Sequence, residues 1–143
     1  MALGEGLNAF PDFRKDFDLI FGIGIDIIEV ARMEKQISDG GSSFQKRIFT
    51  ENEITYCEQK RNKAQHYAAR FSAKEAFFKA IGTGWRNGLT WKEIEVLNDD
   101  LGKPNIFLHG KTKQFIEDNH IKNIHLSLSH LKETAVAVVI LEI

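Results

Sequence analysis

The sequence predicts an α+β domain, helices packed on an antiparallel sheet, in the order strand, three helices, two strands, helix, two strands. Three observations carry this reading. From Lys63 to Ile81 there is neither Gly nor Pro, and Tyr67, Phe71, Phe78 and Ile81 recur at helical spacings. The second half of the chain holds two pairs of short apolar segments, each joined by a turn. The helical segments come in a run ahead of those pairs and do not alternate with strands, which favours antiparallel pairing over a doubly wound parallel sheet.

Taken in order, Phe21 to Ile28 is β-branched and apolar apart from its glycines and Asp26, and reads as a buried strand ending near the carboxylate. Glu29 to Ile37 follows with a helical stripe of Val30, Met33 and Ile37, closed by the turn Asp39-Gly40-Gly41. Thr50 with Glu53 forms a capping box, in which hydroxyl and carboxylate each satisfy a free amide at a helix start, so a helix runs to about Lys60. The long helix from Lys63 stops at Gly82 and Gly84. Trp91 to Asn98 alternates as a half-buried strand, and Asn98 to Pro104 turns the chain into Ile106 to Leu108. Lys111 to Asn119 is a short helix, and His125 to Ser129 and Thr134 to Ile143 are the last two strands. Ala135 to Leu141 is apolar on both faces, which predicts a central strand or one covered by a partner.

The chain has 143 residues and a formal charge of -1, with 19 Lys and Arg against 20 Asp and Glu. One domain fits that length. The charge balance excludes whole-protein attraction to nucleic acid or to an anionic membrane. The longest apolar runs fall far short of the ~20 residues of a membrane helix. Met1 to Asp18 lacks the basic start and apolar centre of a signal peptide. The single cysteine, Cys57, has no partner for a disulfide, and a reducing, cytoplasmic home is expected.

Two places carry chemistry. Asp26 interrupts an apolar run, where a carboxylate needs a metal, a cation or several donors, or else caps the helix that follows. Arg70 to Lys79 sets three cations and Glu75 within three turns, with Glu75 and Lys79 sharing one face and Arg70 and Lys74 another. A surface ion pair explains that pattern. So does a phosphate site in which one or two carboxylates hold Mg²⁺ and cations supply the remaining charge. His130 stands at the bend after Leu126-Ser127-Leu128-Ser129, where it can face an anion or be ordinary turn chemistry. Gly22-Ile23-Gly24 lacks the third glycine of a dinucleotide fingerprint, so a Rossmann site is rejected.

Three segments together resemble the holo-acyl-carrier-protein synthase family, the small 4'-phosphopantetheinyl transferases: Gly22 to Glu29, Arg70 to Gly84, and Leu126 to His130. The resemblance covers about Phe21 to Ile143 and leaves residues 1–19 as an extension, with 20–143 as the transferase domain. It implies transfer of 4'-phosphopantetheine from coenzyme A to a serine of apo acyl carrier protein, and the 4'-phosphopantetheinyl transferase fold. It implies Mg²⁺ held by Asp26 and Glu75, with Lys79 stabilising the departing charge. Arg70, Lys74 and His130 would hold coenzyme A phosphates, with the Gly82-Thr83-Gly84 turn close to the nucleotide. Arg32 would dock the acidic carrier, and three copies would assemble around a central β structure with active sites at their boundaries. The residues alone leave two alternatives open, a non-catalytic coenzyme A or nucleotide-binding module and a metal-dependent phosphodiesterase. They also leave open whether Glu75 or Asp26 activates the carrier serine.

Overall fold

A computed structural model describes residues 19–82 and 88–143. Its elements follow the predicted order: β1 (Ile20–Glu29), α1 (Val30–Ile48), α2 (Glu51–Glu58), α3 (Lys63–Ile81), β2 (Ile94–Asn98), β3 (Pro104–Leu108), α4 (Gly110–Asp118), β4 (Asn123–His130) and β5 (Thr134–Glu142). The strands form two antiparallel sheets. One is β1-β5-β4 and the other is the β2-β3 hairpin. The apolar final strand is thus central, with Asp26 opposite Ala137 and His130 opposite Ala135.

α3 crosses the inner face of the larger sheet. A Cβ on Gly22 or Gly24 would meet the backbone carbonyls of Ala80 and Ala76, so these glycines, with the small residues facing them, let helix and sheet approach closely. That is the physical reason for the Gly-Ile-Gly pattern. Ala135, Ala137, Val139 and Leu141 are buried beneath α3. The opposite face of the sheet has no such cover among the described residues, and Ile23, Ile25 and Ile27 are 59%, 60% and 69% exposed.

Local chemistry sets the helix ends. Thr50 and Glu53 form the predicted capping box, and Gly82 ends α3 at a φ of +78°, in the left-handed region that suits a residue without Cβ. Three expectations are revised. α1 does not close at Asp39-Gly40-Gly41: Gly41, at φ +55°, kinks it, and the helix resumes to Ile48 because Phe44 and Ile48 restore an apolar face that packs into the core. Trp91–Glu93 is a 3₁₀ turn, and β2 buries Ile94, Glu95 and Val96 in succession with no alternation. β1 continues three residues past Asp26, and Glu29 occupies the helix-cap position, so Asp26 is not a cap.

Candidate active site

On β1, Asp26 shares the inward side with Gly24 and Ile28, which turns its carboxylate toward α3. Ser72 Oγ lies 2.9 Å from the Asp26 carbonyl oxygen and 3.0 Å from Oδ2, so its single proton serves both acceptors. Lys79 Nζ donates to Asp26 Oδ1 at 3.1 Å and to the Ile25 carbonyl at 3.0 Å. The Lys79 side chain is 53% exposed, so its ammonium still meets solvent and any arriving anion. Glu75 is half-buried on the same face of α3, one turn before Lys79. Burial and then the Asp26 charge push its carboxyl above the ordinary range, while Lys79 and Arg32 pull the other way. Asp26, Glu75, Lys79 and exposed Arg32 of α1 therefore act on one another electrostatically across β1, α3 and α1.

Arg70 and His130 belong to a second cluster. Glu75 follows Arg70 by five residues, about 140° around the helix, so the carboxylates and this cluster face different sides of α3. Arg70 is 2% exposed, lies 3.9 Å over the ring of Tyr56, and donates from Nη2 to Asn98 Oδ1 at 3.1 Å. His130, exposed at the end of β4, meets His66 of α3 edge-on with ring centroids 5.8 Å apart. Gly82 is exposed, and Thr83 and Gly84 lie outside the described residues.

Lys74 corrects the sequence reading. It is fully buried, and its ammonium donates to Glu53 Oε1 at 2.6 Å, to the Ile48 carbonyl at 2.8 Å and to the Trp91 carbonyl at 3.1 Å. An ammonium has three donors, and all are used, so none is left for a coenzyme A phosphate. Glu53 Oε2 in turn accepts from the Val96 amide at 3.0 Å. The pair binds α1, α2, α3 and β2 together.

Asp26 and Glu75 supply carboxylate oxygens only, and no group of three or more His, Cys, Asp or Glu among the described residues could hold a metal. Two like charges held near one another, one with its proton affinity raised, suit a hard cation that takes its remaining ligands from substrate phosphates. The sequence reading gave no role to Ser72, Tyr56 or Asn98. Ser72 precedes Glu75 by three residues and so shares its face, a signal that could have found it, whereas Tyr56 and Asn98 reach Arg70 from distant segments.

Against known proteins, the 4'-phosphopantetheinyl transferase superfamily matches residues 22–139. The holo-[acyl-carrier-protein] synthase of Geobacter sp. (strain M21) is 48% identical over 124 residues, 87% of this chain and 99% of that protein. The crystal structure of holo-[acyl-carrier-protein] synthase from Neisseria meningitidis superposes with a TM-score of 0.82 at 35% identity, over 87% of this chain and 100% of that one. The holo-(acyl-carrier-protein) synthase from Bacillus anthracis in complex with CoA (3',5'-ADP) gives 0.73 at 42% identity, over 87% and 97% of the two chains.

Proposed function

This chain belongs to the 4'-phosphopantetheinyl transferase superfamily, and on that premise we propose that it is a holo-[acyl-carrier-protein] synthase. It transfers 4'-phosphopantetheine from coenzyme A to a serine hydroxyl of apo acyl carrier protein. The new bond joins the serine oxygen to the phosphorus of the arm. The pyrophosphate P–O bond breaks, and adenosine 3',5'-bisphosphate leaves. The observation that carries the reading is the meeting of Asp26, Glu75 and Lys79 between β1 and α3.

Positioning and charge neutralisation dominate phosphoryl transfer. Asp26 and Glu75 are the residues that would hold Mg²⁺, which when bound withdraws charge from the pyrophosphate. Lys79, tethered to Asp26 and the Ile25 carbonyl, presents its ammonium to the oxygen that departs with negative charge. Ser72 fixes the Asp26 carboxylate through Oδ2. The serine proton leaves to Glu75 or Asp26 through an intervening water. Arg70 and His130 would bind coenzyme A phosphates, and Arg32, exposed on α1, would meet the acidic carrier.

These two groups of residues lie on different sides of α3, so a pocket needing both is best completed between copies of the chain. The exposed Ile23, Ile25 and Ile27 beside Val136, Val138 and Ile140 supply an apolar surface for that assembly. The resemblance to holo-acyl-carrier-protein synthases implies three copies. Residues 20–143 would form the transferase domain with 1–19 as an extension, and a buried, unpaired Cys57 suits the reducing cytoplasm. No helix among the described residues is long and apolar enough to cross a membrane.

The test is incubation with coenzyme A, Mg²⁺ and apo acyl carrier protein, followed by intact mass measurement of the carrier. A gain of one phosphopantetheinyl group is expected. Coenzyme A bound with no gain, or consumed without carrier, would replace this reading with a binding module or a hydrolase.

A further inference from the structure

We propose that Tyr56 is a positioning residue for coenzyme A, its ring gathering Arg70, Lys60 and His66 into one anion-binding surface that Asn98 locks. The inference rests on the reading of Arg70 as a phosphate-binding group. Its starting point is an electrostatic difficulty: the Arg70 guanidinium and the Lys60 ammonium lie over one ring, with His66 and His130 beside them and no carboxylate among the groups that act on His66. Like charges repel, and something must hold them.

Tyr56 contacts three of the four. The Arg70 guanidinium carbon lies 3.9 Å from its ring centroid and the Lys60 ammonium 4.5 Å, both within cation–π range, where the negative face of the ring offsets positive charge. His66 meets the same ring nearly edge-on at 5.7 Å and carries the contact on to His130. Asn98 closes the arrangement: its Oδ1 accepts from Arg70 Nη2 at 3.1 Å, and its Nδ2 donates to Tyr56 Oη at 3.4 Å and to the Gly102 carbonyl at 3.1 Å. The guanidinium is thus held in one orientation by a ring face and one amide. Its Nε–H is buried with no hydrogen-bond partner among the described residues. A buried donor left unpaired is costly, and a phosphate oxygen is the kind of acceptor a guanidinium takes best. Burial, then Arg70, His130 and Lys60, hold the His66 imidazole below its ordinary pKa, which keeps it neutral at pH 7 as a spacer between the cations.

The experiment compares Tyr56→Leu, Tyr56→Phe and Asn98→Ala with the wild type, by steady-state kinetics and by calorimetric titration with adenosine 3',5'-bisphosphate. Tyr56→Leu removes the aromatic face for two cations and should weaken nucleotide binding and raise the coenzyme A KM by about tenfold. Its kcat and its KM for carrier should stay within about twofold, a split that a general structural defect would not give. Tyr56→Phe keeps the ring and should recover most of the affinity. Asn98 is exposed, so Asn98→Ala keeps the fold and should weaken nucleotide binding severalfold, which tests the arrangement even if Tyr56→Leu does not fold. Unchanged nucleotide affinity in Asn98→Ala overturns the inference, as does an unchanged coenzyme A KM in a folded Tyr56→Leu or an equal loss for both substrates. A wild type that binds the nucleotide but never loads a carrier would sink the proposed activity and leave this inference standing on the calorimetry.

Discussion

Asp26 and Glu75 would be costly neighbours were it not for the cations around them. Removing either would delete one of the two proposed hard oxygen ligands, so Asp26→Ala and Glu75→Ala should each abolish carrier loading while thermal melting shows a folded protein. Near wild-type turnover of either variant at limiting Mg²⁺ would end the metal assignment. The same pair predicts a titration. Glu75 is raised first by burial and then by Asp26, so its protonated form is favoured in the folded protein and its carboxylate appears at a higher pH than in an unfolded chain. By linkage this charge costs folding stability as pH rises through the unfolded carboxyl's range, and the cost levels off above the folded value. Asp26→Asn removes the like charge, so the Glu75 titration should move to lower pH, as followed by carbon NMR of labelled glutamate. No movement would mean that the two carboxyls do not feel one another.

Elements are placed by two devices that leave no freedom. The first is the Lys74–Glu53 pair, both side chains at 0% exposure. Lys74→Met leaves Glu53 buried without its counter-ion and should cost about 3 to 5 kcal/mol in a denaturant melt, with much of that recovered by adding Glu53→Gln, which removes the charge and keeps an acceptor for the Val96 amide. A double variant no better than the single would show that the pair acts otherwise. The second is the close approach of α3 to β1. Gly24→Ala would push a methyl against the Ala76 carbonyl, a backbone atom that cannot turn aside. It should cost roughly 1 to 3 kcal/mol and lower turnover with it, because Asp26 lies two residues further along the same strand face. A variant of unchanged stability and activity would show that α3 can shift at no cost to the site.

For the whole molecule, the deciding surface is the outer sheet face, where exposed Ile23, Ile25 and Ile27 run beside Val136, Val138 and Ile140. Monomers seldom leave such a patch open. In the proposed assembly, copies meeting there would bury it and complete each active site at a subunit boundary. Val138→Lys would place a charge in the middle of the proposed contact, and sedimentation should show the proposed trimer dispersing, with carrier loading falling in parallel. A wild type that sediments as a fully active monomer would remove both the assembly and the shared site.

The order of elements, the Thr50–Glu53 cap and the extent of α3 were legible in the sequence, because each depends on neighbours within a turn or two of the chain. The same holds for the facing of Glu75 with Lys79, since residues four apart share a helix side. The angle between two residues on a helix is local, but which side of the helix is buried is not. Lys74 read as a phosphate-binding cation for that reason, and only Ile48, Glu53 and Trp91, brought from three other segments, make it part of the core. Tyr56 meets Arg70 across 14 residues of chain and Asn98 meets it across 28, so no spacing announces the cluster. The sequence by itself determined the order of the elements and which side chains share a face of each. The tertiary structure decided the split into two sheets, the continuation of α1 through Gly41 and the partners of every buried charge, because desolvation and close packing act between segments that the chain keeps far apart.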